Sequence, residues 1–208
     1  MALISYSTDM KDYLAATDIV DFEDEAIGEL SDALAADAKD VLDYAKRAYE
    51  YVRDHFAHSA DAGRDEVTLR ASEVLRAGHG ICFAKSHLLA ALLRRRGIPA
   101  GFCYQKLILD DETAPYLILH GLNGVYIAEC ERWIRLDARG NKKGVDAQFS
   151  IEEERLAFPV RPEMGEADIM VVYPEPDANV VEKFRLHSTR SGLWNDLPRS
   201  LALPESLA

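Results

Sequence analysis

The chain has 208 residues, 48% of them hydrophobic and 29% charged, which is the balance expected of one soluble domain with a sizeable core. A formal net charge of −12 argues against a nucleic-acid partner and against binding to an anionic membrane surface, because both attract basic proteins. The three cysteines are too few, and odd in number, for a disulfide framework, and no segment has the pattern of a signal peptide or a membrane span. We therefore expect a cytoplasmic protein with free thiols.

The first part of the chain is predicted to contain one long amphipathic helix. Residues 1–30 mix apolar and acidic side chains without a clear period, which predicts a strand and a loop that dock on the domain. From Asp37, a candidate N-cap, apolar residues recur at helical spacing and predict a helix that ends near His55. Residues 58–70 are polar and predict a loop.

A second helix is predicted from about residue 82 to residue 96. Its apolar residues cannot all lie on one narrow stripe, so we expect this helix to be central and buried. Gly97 and Pro99 end it, and the run Arg94-Arg95-Arg96 is interpreted as a solvated last turn. Cys82 stands at the first position, where backbone N–H groups and the helix dipole favour a thiolate, the nucleophilic form of the thiol.

The second half of the chain is predicted to be mainly strands. Alternating β-formers predict strands over residues 101–109, 116–119, 124–128, 132–136 and 169–173, with the third and fourth forming a hairpin. A short helix is predicted over 180–186. Helices followed by an antiparallel sheet place the chain in the α+β class. We expect a single domain over residues 1–208, with a core of about 37–150 and a C-terminal extension, 151–208, that packs on it.

Three residues in chain order have the chemistry of a cysteine enzyme. Cys82 is followed by His120 and then by Asp137, which closes the predicted strand 132–136. A thiol nucleophile needs a base within hydrogen-bond reach, and the base needs a third group that fixes its orientation and stabilises its charged form. If the strands that carry His120 and Asp137 are neighbours, these two side chains can face each other.

With these residues the chain resembles the transglutaminase-like superfamily over roughly residues 40–140. The residues that carry the resemblance are Gly80-x-Cys82, Leu92-Leu93-Arg94-x-x-Gly97-Ile98-Pro99-Ala100, His120 and Trp133-Ile134-Arg135-Leu136-Asp137, with Tyr51-Val52-Arg53-Asp54 and Ser72-Glu73-Val74-Leu75 upstream. The chain departs from many members in having Gly121-Leu122-Asn123-Gly124 after the histidine instead of an aromatic-rich strand.

The resemblance implies a papain-like, transglutaminase-core fold, in which a buried helix carries the cysteine at its N-terminus and packs on an antiparallel sheet. It implies a catalytic triad of Cys82, His120 and Asp137, acyl transfer or amide hydrolysis through a thioester, and a peptide or small amide as the substrate. No cofactor is expected. Two alternatives remain: a catalytically silent module that binds a peptide or partner in the cleft, and an amine acyltransferase or protein crosslinker.

Several other residues are candidates for supporting roles. The Cys82 backbone N–H is predicted to be one oxyanion donor, and Tyr51, His58 and Gln105 are candidates for a second, side-chain donor. Asn141 is an alternative to Asp137 as the orienting group. His79 is a candidate for the border of the cleft, and no metal site is expected from His79 and His87, because a second pair of ligands is missing. Cys103 and Cys130 are interpreted as passive residues in or beside the sheet.

Overall fold

The structure, a computed structural model, describes residues 2–205. In this part of the chain six α-helices combine with seven strands, and three short 3₁₀ turns connect them. The helices are α1 (Glu25–Ala36), α2 (Val41–His55), α3 (Ala71–Ala77), α4 (Cys82–Arg95), α5 (Ala178–Leu186) and α6 (Arg190–Trp194). The strands are β1 (Ile4–Ser5), β2 (Ala57–His58), β3 (His79–Gly80), β4 (Ala100–Asp110), β5 (Ala114–Ile127), β6 (Arg132–Leu136) and β7 (Ala167–Tyr173).

Five of the strands form one sheet in the order β1-β7-β4-β5-β6. Every neighbouring pair is antiparallel except β1 and β7, which are parallel. The predicted hairpin is confirmed, because β5 pairs with β6 from Asn123 opposite Leu136 to Ile127 opposite Arg132. The two strands predicted on either side of His120 are in fact one continuous strand, β5. The predicted α+β class is confirmed.

Helix α4 is the centre of the molecule, as its sequence predicts. All its residues from Phe83 to Arg94 are buried, and it contacts α1, α2 and α3 as well as β4 and β5. Tyr44 of α2 donates a hydrogen bond to the Leu92 carbonyl at 2.9 Å. A helix that is apolar on all sides is stable only when other elements surround it.

The helix boundaries differ from the prediction at two points. Residues 25–36, expected as part of a loop, form α1, and Asp37 ends this helix instead of starting the next one. The N-cap of α2 is Asp40, whose carboxylate accepts a hydrogen bond from the Asp43 backbone N–H at 2.8 Å. Several aspartates lie close together here, and local composition alone does not show which one caps a helix.

The arginine run at the end of α4 is not uniformly solvated. Arg94 is buried, and its guanidinium donates hydrogen bonds to the carbonyls of Ala100, Ala15 and Pro174. The prediction of a solvated last turn was wrong for this residue. Its donors connect the end of α4 to the start of β4, to the N-terminal segment and to the end of β7.

The segment after residue 150 completes the sheet and then covers it. Strand β7 lies between β1 and β4, and helices α5 and α6 follow it. The chain after α6 is held by Asp177, whose carboxylate accepts hydrogen bonds from the backbone N–H groups of Ala202 and Leu203. Among residues 2–205, every helix is too short or too polar to cross a membrane.

Candidate active site

Cys82 is presented at the first position of α4 by a short parallel strand pair. Strand β2 pairs with β3, which ends at Gly80, two residues before the cysteine. Ile81 occupies the N-cap position, and its side chain has no acceptor for the first N–H groups of the helix. These groups are therefore available to an anion at the Cys82 sulfur or at a substrate oxygen.

Strand β5 lies directly against the first turns of α4. The side-chain amide of Asn123 donates a hydrogen bond to the Ser86 carbonyl at 2.9 Å, which fixes the helix to the strand. At Gly121 a Cβ atom would come within 2.4 Å of the Phe83 ring, so only glycine allows this approach. Within the Gly-Leu-Asn-Gly segment, Gly121 and Asn123 thus face the cysteine helix, whereas Leu122 packs on the opposite side of the sheet.

His120 and Asp137 meet across neighbouring strands. The His120 Nε2 atom lies 2.8 Å from the Asp137 Oδ2 atom, and both residues are buried. Cys82 lines the same cavity as His120, and its charge is one of the influences that raise the pKa of the imidazole. Since Nε2 is engaged by Asp137, Nδ1 is the atom left for the thiol. The structure therefore brings the three predicted residues together, because Cys82 and His120 line one cavity and Asp137 bonds to His120.

The Asp137 carboxylate is satisfied on both oxygens. Oδ1 accepts a hydrogen bond from the Arg139 backbone N–H at 3.0 Å, and Oδ2 accepts one from the Ala157 N–H at 3.2 Å in addition to the contact with His120. The Tyr49 hydroxyl donates to the Asp137 carbonyl at 3.1 Å. Ala157 belongs to the C-terminal extension, so this part of the chain helps to hold the carboxylate.

The neighbouring charges shift the pKa values of His120 and Asp137 in opposite directions. Burial by itself lowers the pKa of His120, but the negative charges of Asp137 and Cys82 outweigh it and raise the pKa above the usual histidine range. Burial by itself raises the pKa of Asp137, but His120 and the two backbone N–H groups outweigh it and lower that pKa. The arrangement therefore favours a protonated His120 beside an ionised Asp137.

A buried lysine connects the elements around this pair. Lys85, on α4, is fully buried, and its Nζ atom donates to the carbonyls of Phe56 at 2.6 Å, Arg139 at 3.0 Å and Arg53 at 3.1 Å. Burial lowers the pKa of Lys85 to about 7, although the carboxylate of Asp137 acts in the opposite direction. The lysine thus joins the end of α2 to the loop that follows Asp137.

The cleft, as we call the cavity that contains the Cys82 side chain, has a volume of about 550 Å³. His120 and residues from the first turn of α4, from β4 and from β5 line it. The C-terminal extension supplies a second wall that includes Phe158, Trp194 and Leu197. The Phe158 ring lies edge-on to the His120 ring, with centroids 5.2 Å apart. The region 151–205 therefore shapes the cleft as well as completing the sheet.

Of the three candidates for a side-chain oxyanion donor, His58 lines the cleft. The register of β2 and β3 places it opposite Gly80, and it is 8% exposed. Burial and the positive charges of Arg139, Lys85 and His120 lower the pKa of His58 to about 3, so its imidazole is neutral at pH 7. Its Nδ1 atom has no hydrogen-bond partner among the described residues.

The other two candidates are committed elsewhere. Tyr51 lies near the end of α2 and stacks on His55, with ring centroids 4.1 Å apart. Gln105 stands opposite His120 in the sheet, but its amide donates to the Phe158 carbonyl and to Asp168. Neither side chain is part of the cleft lining that the structure describes.

The remaining candidate residues from the sequence analysis lie outside the lining of the cleft. Asn141 makes two hydrogen bonds with the Ala147 backbone and does not contact His120 within the described structure. His79 bonds to the Ser59 hydroxyl at 2.9 Å and is not among the described residues that line the cleft. Cys103 is buried in β4, and Cys130 is exposed in the turn between β5 and β6.

Sequence reasoning missed two cationic residues next to the triad, Lys85 and Arg139. Lys85 had a usable signal, because a lysine on a helix without an exposed face must find buried acceptors. Arg139 follows Asp137 by two residues, and its burial depends on Asp61 and Phe158, which are distant in the chain. No local pattern marks such a contact.

Comparisons with known proteins identify the family and the fold of the chain. The family model described as the transglutaminase-like superfamily matches residues 28–138, more than half of the chain. No curated protein matches. A solved structure named "Putative Cysteine Protease" from Cytophaga hutchinsonii superposes with a TM-score of 0.52 at 18% identity, covering 64% of this chain and 43% of its own. A second, named "putative protease", from Parabacteroides distasonis, has a TM-score of 0.41 at 12% identity, covering 73% and 30% respectively. The chain therefore spans less than half the length of these two structures, and the Cytophaga protein shares its fold.

Proposed function

Because the chain belongs to the transglutaminase-like superfamily, we propose that it is a cysteine-dependent acyl-transfer enzyme that hydrolyses amide or peptide bonds through a thioester on Cys82. The observation that supports the proposal is the 2.8 Å contact of His120 with Asp137 in the wall of the cleft that Cys82 also lines. A histidine held in this way is paired with a nucleophile on one nitrogen and oriented on the other.

The first half of the reaction forms the acyl-enzyme. The Cys82 thiolate attacks the substrate carbonyl carbon, and the developing oxyanion accepts hydrogen bonds from the Cys82 backbone N–H and from the neutral His58 imidazole. His120 then gives its Nδ1 proton to the leaving amine as the C–N bond breaks. Asp137 stays ionised throughout and stabilises the imidazolium from which this proton comes.

The second half releases the acid. Water attacks the thioester carbonyl, and the now neutral His120 accepts the proton that the water loses. The C–S bond breaks, Cys82 leaves as a thiolate, and a carboxylic acid is the product. The enzyme returns to its starting charge state, with His120 again protonated between two anions.

The test is direct detection of the acyl-enzyme. We expect intact-protein mass spectrometry of rapidly quenched reactions with a panel of peptide amides to show an acyl adduct on Cys82, and Cys82→Ala to form none. Cys82 should also react with iodoacetamide near neutral pH faster than the buried Cys103 and the exposed Cys130.

The same experiment distinguishes the alternatives. Addition of a primary amine to the reaction would divert the acyl group into a new amide if the protein is an amine acyltransferase or crosslinker. A binding module would form no adduct across the panel, and Cys82 would be alkylated no faster than Cys130. That result would refute the proposed function.

A further inference from the structure

One cluster of charged residues in the cleft, beside the catalytic residues, has one cation more than it has carboxylates, although the whole chain carries −12. Asp61 accepts a hydrogen bond from Arg139 on Oδ2 and one from Lys142 on Oδ1, both at 2.7 Å. Burial raises the pKa of Asp61, but these two hydrogen bonds outweigh it and lower that pKa to about 2. Two cations therefore share one carboxylate, and one positive charge is left without a partner in this cluster. His58, the other titratable neighbour, is neutral.

The Arg139 guanidinium is held in place before any ligand binds. Its side chain is 8% exposed and lies over the Phe158 ring at 5.6 Å. Its backbone N–H bonds to Asp137, and its carbonyl accepts from Lys85. A guanidinium fixed in this way loses little side-chain freedom when it binds a carboxylate, so it is suited to recognising one.

A second charged cluster in the cleft has the opposite balance. The Arg161 guanidinium bonds to Asp111 through two atoms and to Glu166 through two atoms. One cation is thus shared by two carboxylates. Asp111 follows β4, and at roughly 3.3 Å per residue it lies about 20 Å along the strand from Gln105, which stands opposite His120. The cluster that has one cation in excess, Asp61 with Arg139 and Lys142, is therefore the one near the triad.

Between the two clusters the walls are apolar, with Leu119, Phe158, Trp194 and Leu197 among them. We infer that the cleft takes peptides or small amides that have an apolar body and carry a carboxylate next to the bond that Cys82 attacks, with Arg139 and Lys142 binding that carboxylate. The inference rests on the proposed function, for which it names the class of substrate.

Two small alkylating agents test the charge preference without turnover. Iodoacetate carries a carboxylate where iodoacetamide carries a neutral amide, and both react at the Cys82 sulfur by displacement of iodide. The measured quantity is the rate with iodoacetate divided by the rate with iodoacetamide at Cys82, followed by mass spectrometry and normalised to the same ratio at Cys130. We expect this ratio to fall about fivefold in Lys142→Glu. The ratio in the unmodified chain should also fall as salt is added.

The neighbouring lysine supplies a matched control. Lys143 is exposed and is not among the residues that line the cleft, so Lys143→Glu makes the same change in net charge without changing the cluster. It should leave the ratio unchanged, and Lys142→Gln should lie between. His120 and the helix N-terminus also attract iodoacetate, but their contribution is the same in every variant.

Protection by peptides extends the test from an anion to a substrate-like molecule. N-acetyl-Phe-Glu-amide should protect Cys82 from iodoacetamide at lower concentration than N-acetyl-Phe-Gln-amide, and the difference should disappear in Lys142→Glu. Equal protection by the two peptides, including none by either, or a rate ratio that Lys142→Glu and Lys143→Glu change equally, would overturn the inference. The proposed function fails on a different result, the absence of an acyl-enzyme, which these measurements do not require.

Discussion

The Phe83 ring packs on the backbone of Gly121, and these two residues are the chain neighbours of Cys82 and His120. Their contact therefore fixes the first turn of α4 against the part of β5 that carries His120. The ring has little freedom to move away, because Phe83 is buried and meets Phe184 edge-on, with centroids 5.9 Å apart. Gly121, at which the chain departs from many members of the family, therefore lies where a larger residue would displace the first turn of α4.

We expect Gly121→Ala to reduce activity more than stability. The added Cβ would lie 2.4 Å from a Phe83 ring carbon, so the ring or the strand must shift, at a cost of about 1–3 kcal/mol in the free energy of unfolding. A shift of the first turn of α4 moves Cys82 relative to His120, and displacements of this kind reduce rates by roughly 100-fold. Urea unfolding and the rate of acyl-enzyme formation measure the two effects.

The double variant Gly121→Ala with Phe83→Leu is the control for this explanation. The smaller leucine makes room for the new methyl group, so it should recover much of the lost rate. A Gly121→Ala protein with full activity, or a double variant no faster than the single one, would show that the contact does not set the catalytic distance.

The sequence was sufficient for the parts of the fold that depend on local periodicity. The buried α4, the β5–β6 hairpin and the strand β7 follow from apolar spacing and from turn residues, and the structure has all three. Helix α1 was missed although Ile27, Leu30 and Leu34 recur at helical spacing, so the sequence did contain a signal for it. The pairing of β7 between β1 and β4 could not be predicted either, since no local signal reports which distant strands meet.

At the candidate site, the order and spacing of Cys82, His120 and Asp137 indicated the residues but not their support. The groups that hold Asp137 include the Ala157 N–H, from a segment that has no motif. His58 was one of three candidates, and only the pairing of β2 with β3 singles it out. Side chains that act through long-range contacts leave little trace in a single sequence.

We expect Asp137→Asn to lower kcat/KM by roughly 10³–10⁴-fold. The amide cannot hold His120 in the protonated form, and one of its groups must face a backbone N–H donor or the His120 ring unfavourably. The alkaline limb of the pH–rate profile should move to lower pH, because the carboxylate that raises the pKa of His120 is gone. An unchanged alkaline limb would contradict the role given to Asp137.

The same pair makes a prediction for stability against pH. The pKa of His120 is raised in the folded state, so its contribution to stability is fully present below the unfolded value of about 6.5 and is lost as the pH rises through the folded value. The difference in melting temperature between the unmodified chain and Asp137→Asn should therefore be larger at pH 6 than at alkaline pH. A difference in melting temperature that grows as the pH rises would contradict this prediction.

We expect Lys85→Met to destabilise the fold by about 3 kcal/mol or more, because it leaves three buried carbonyls without a donor. The matched control is Lys46→Met on α2, where the lysine side chain is half exposed and 3.9 Å from Glu50. Exposed pairs of this kind contribute about 0–1 kcal/mol. Urea unfolding should separate the two variants clearly, and similar midpoints would show that the carbonyl contacts of Lys85 are not needed.

His58→Leu tests whether this imidazole stabilises the oxyanion. Loss of one oxyanion donor reduces kcat by about 10²–10³-fold, and KM should change little. Alkylation of Cys82 by iodoacetamide passes through no oxyanion, so its rate should be retained. This separates a role in the transition state from a structural role, in which both rates would fall together.

Two further variants complete this test. His58→Gln keeps an N–H donor on a side chain of similar reach and should recover part of the lost kcat. His55→Leu, three residues earlier and exposed on α2, should have the activity of the unmodified chain. If His58→Leu loses less than about fivefold, the Cys82 backbone N–H and the remaining N–H groups of the first turn of α4 are sufficient to stabilise the oxyanion, and the neutral imidazole beside them serves the shape of the cleft instead.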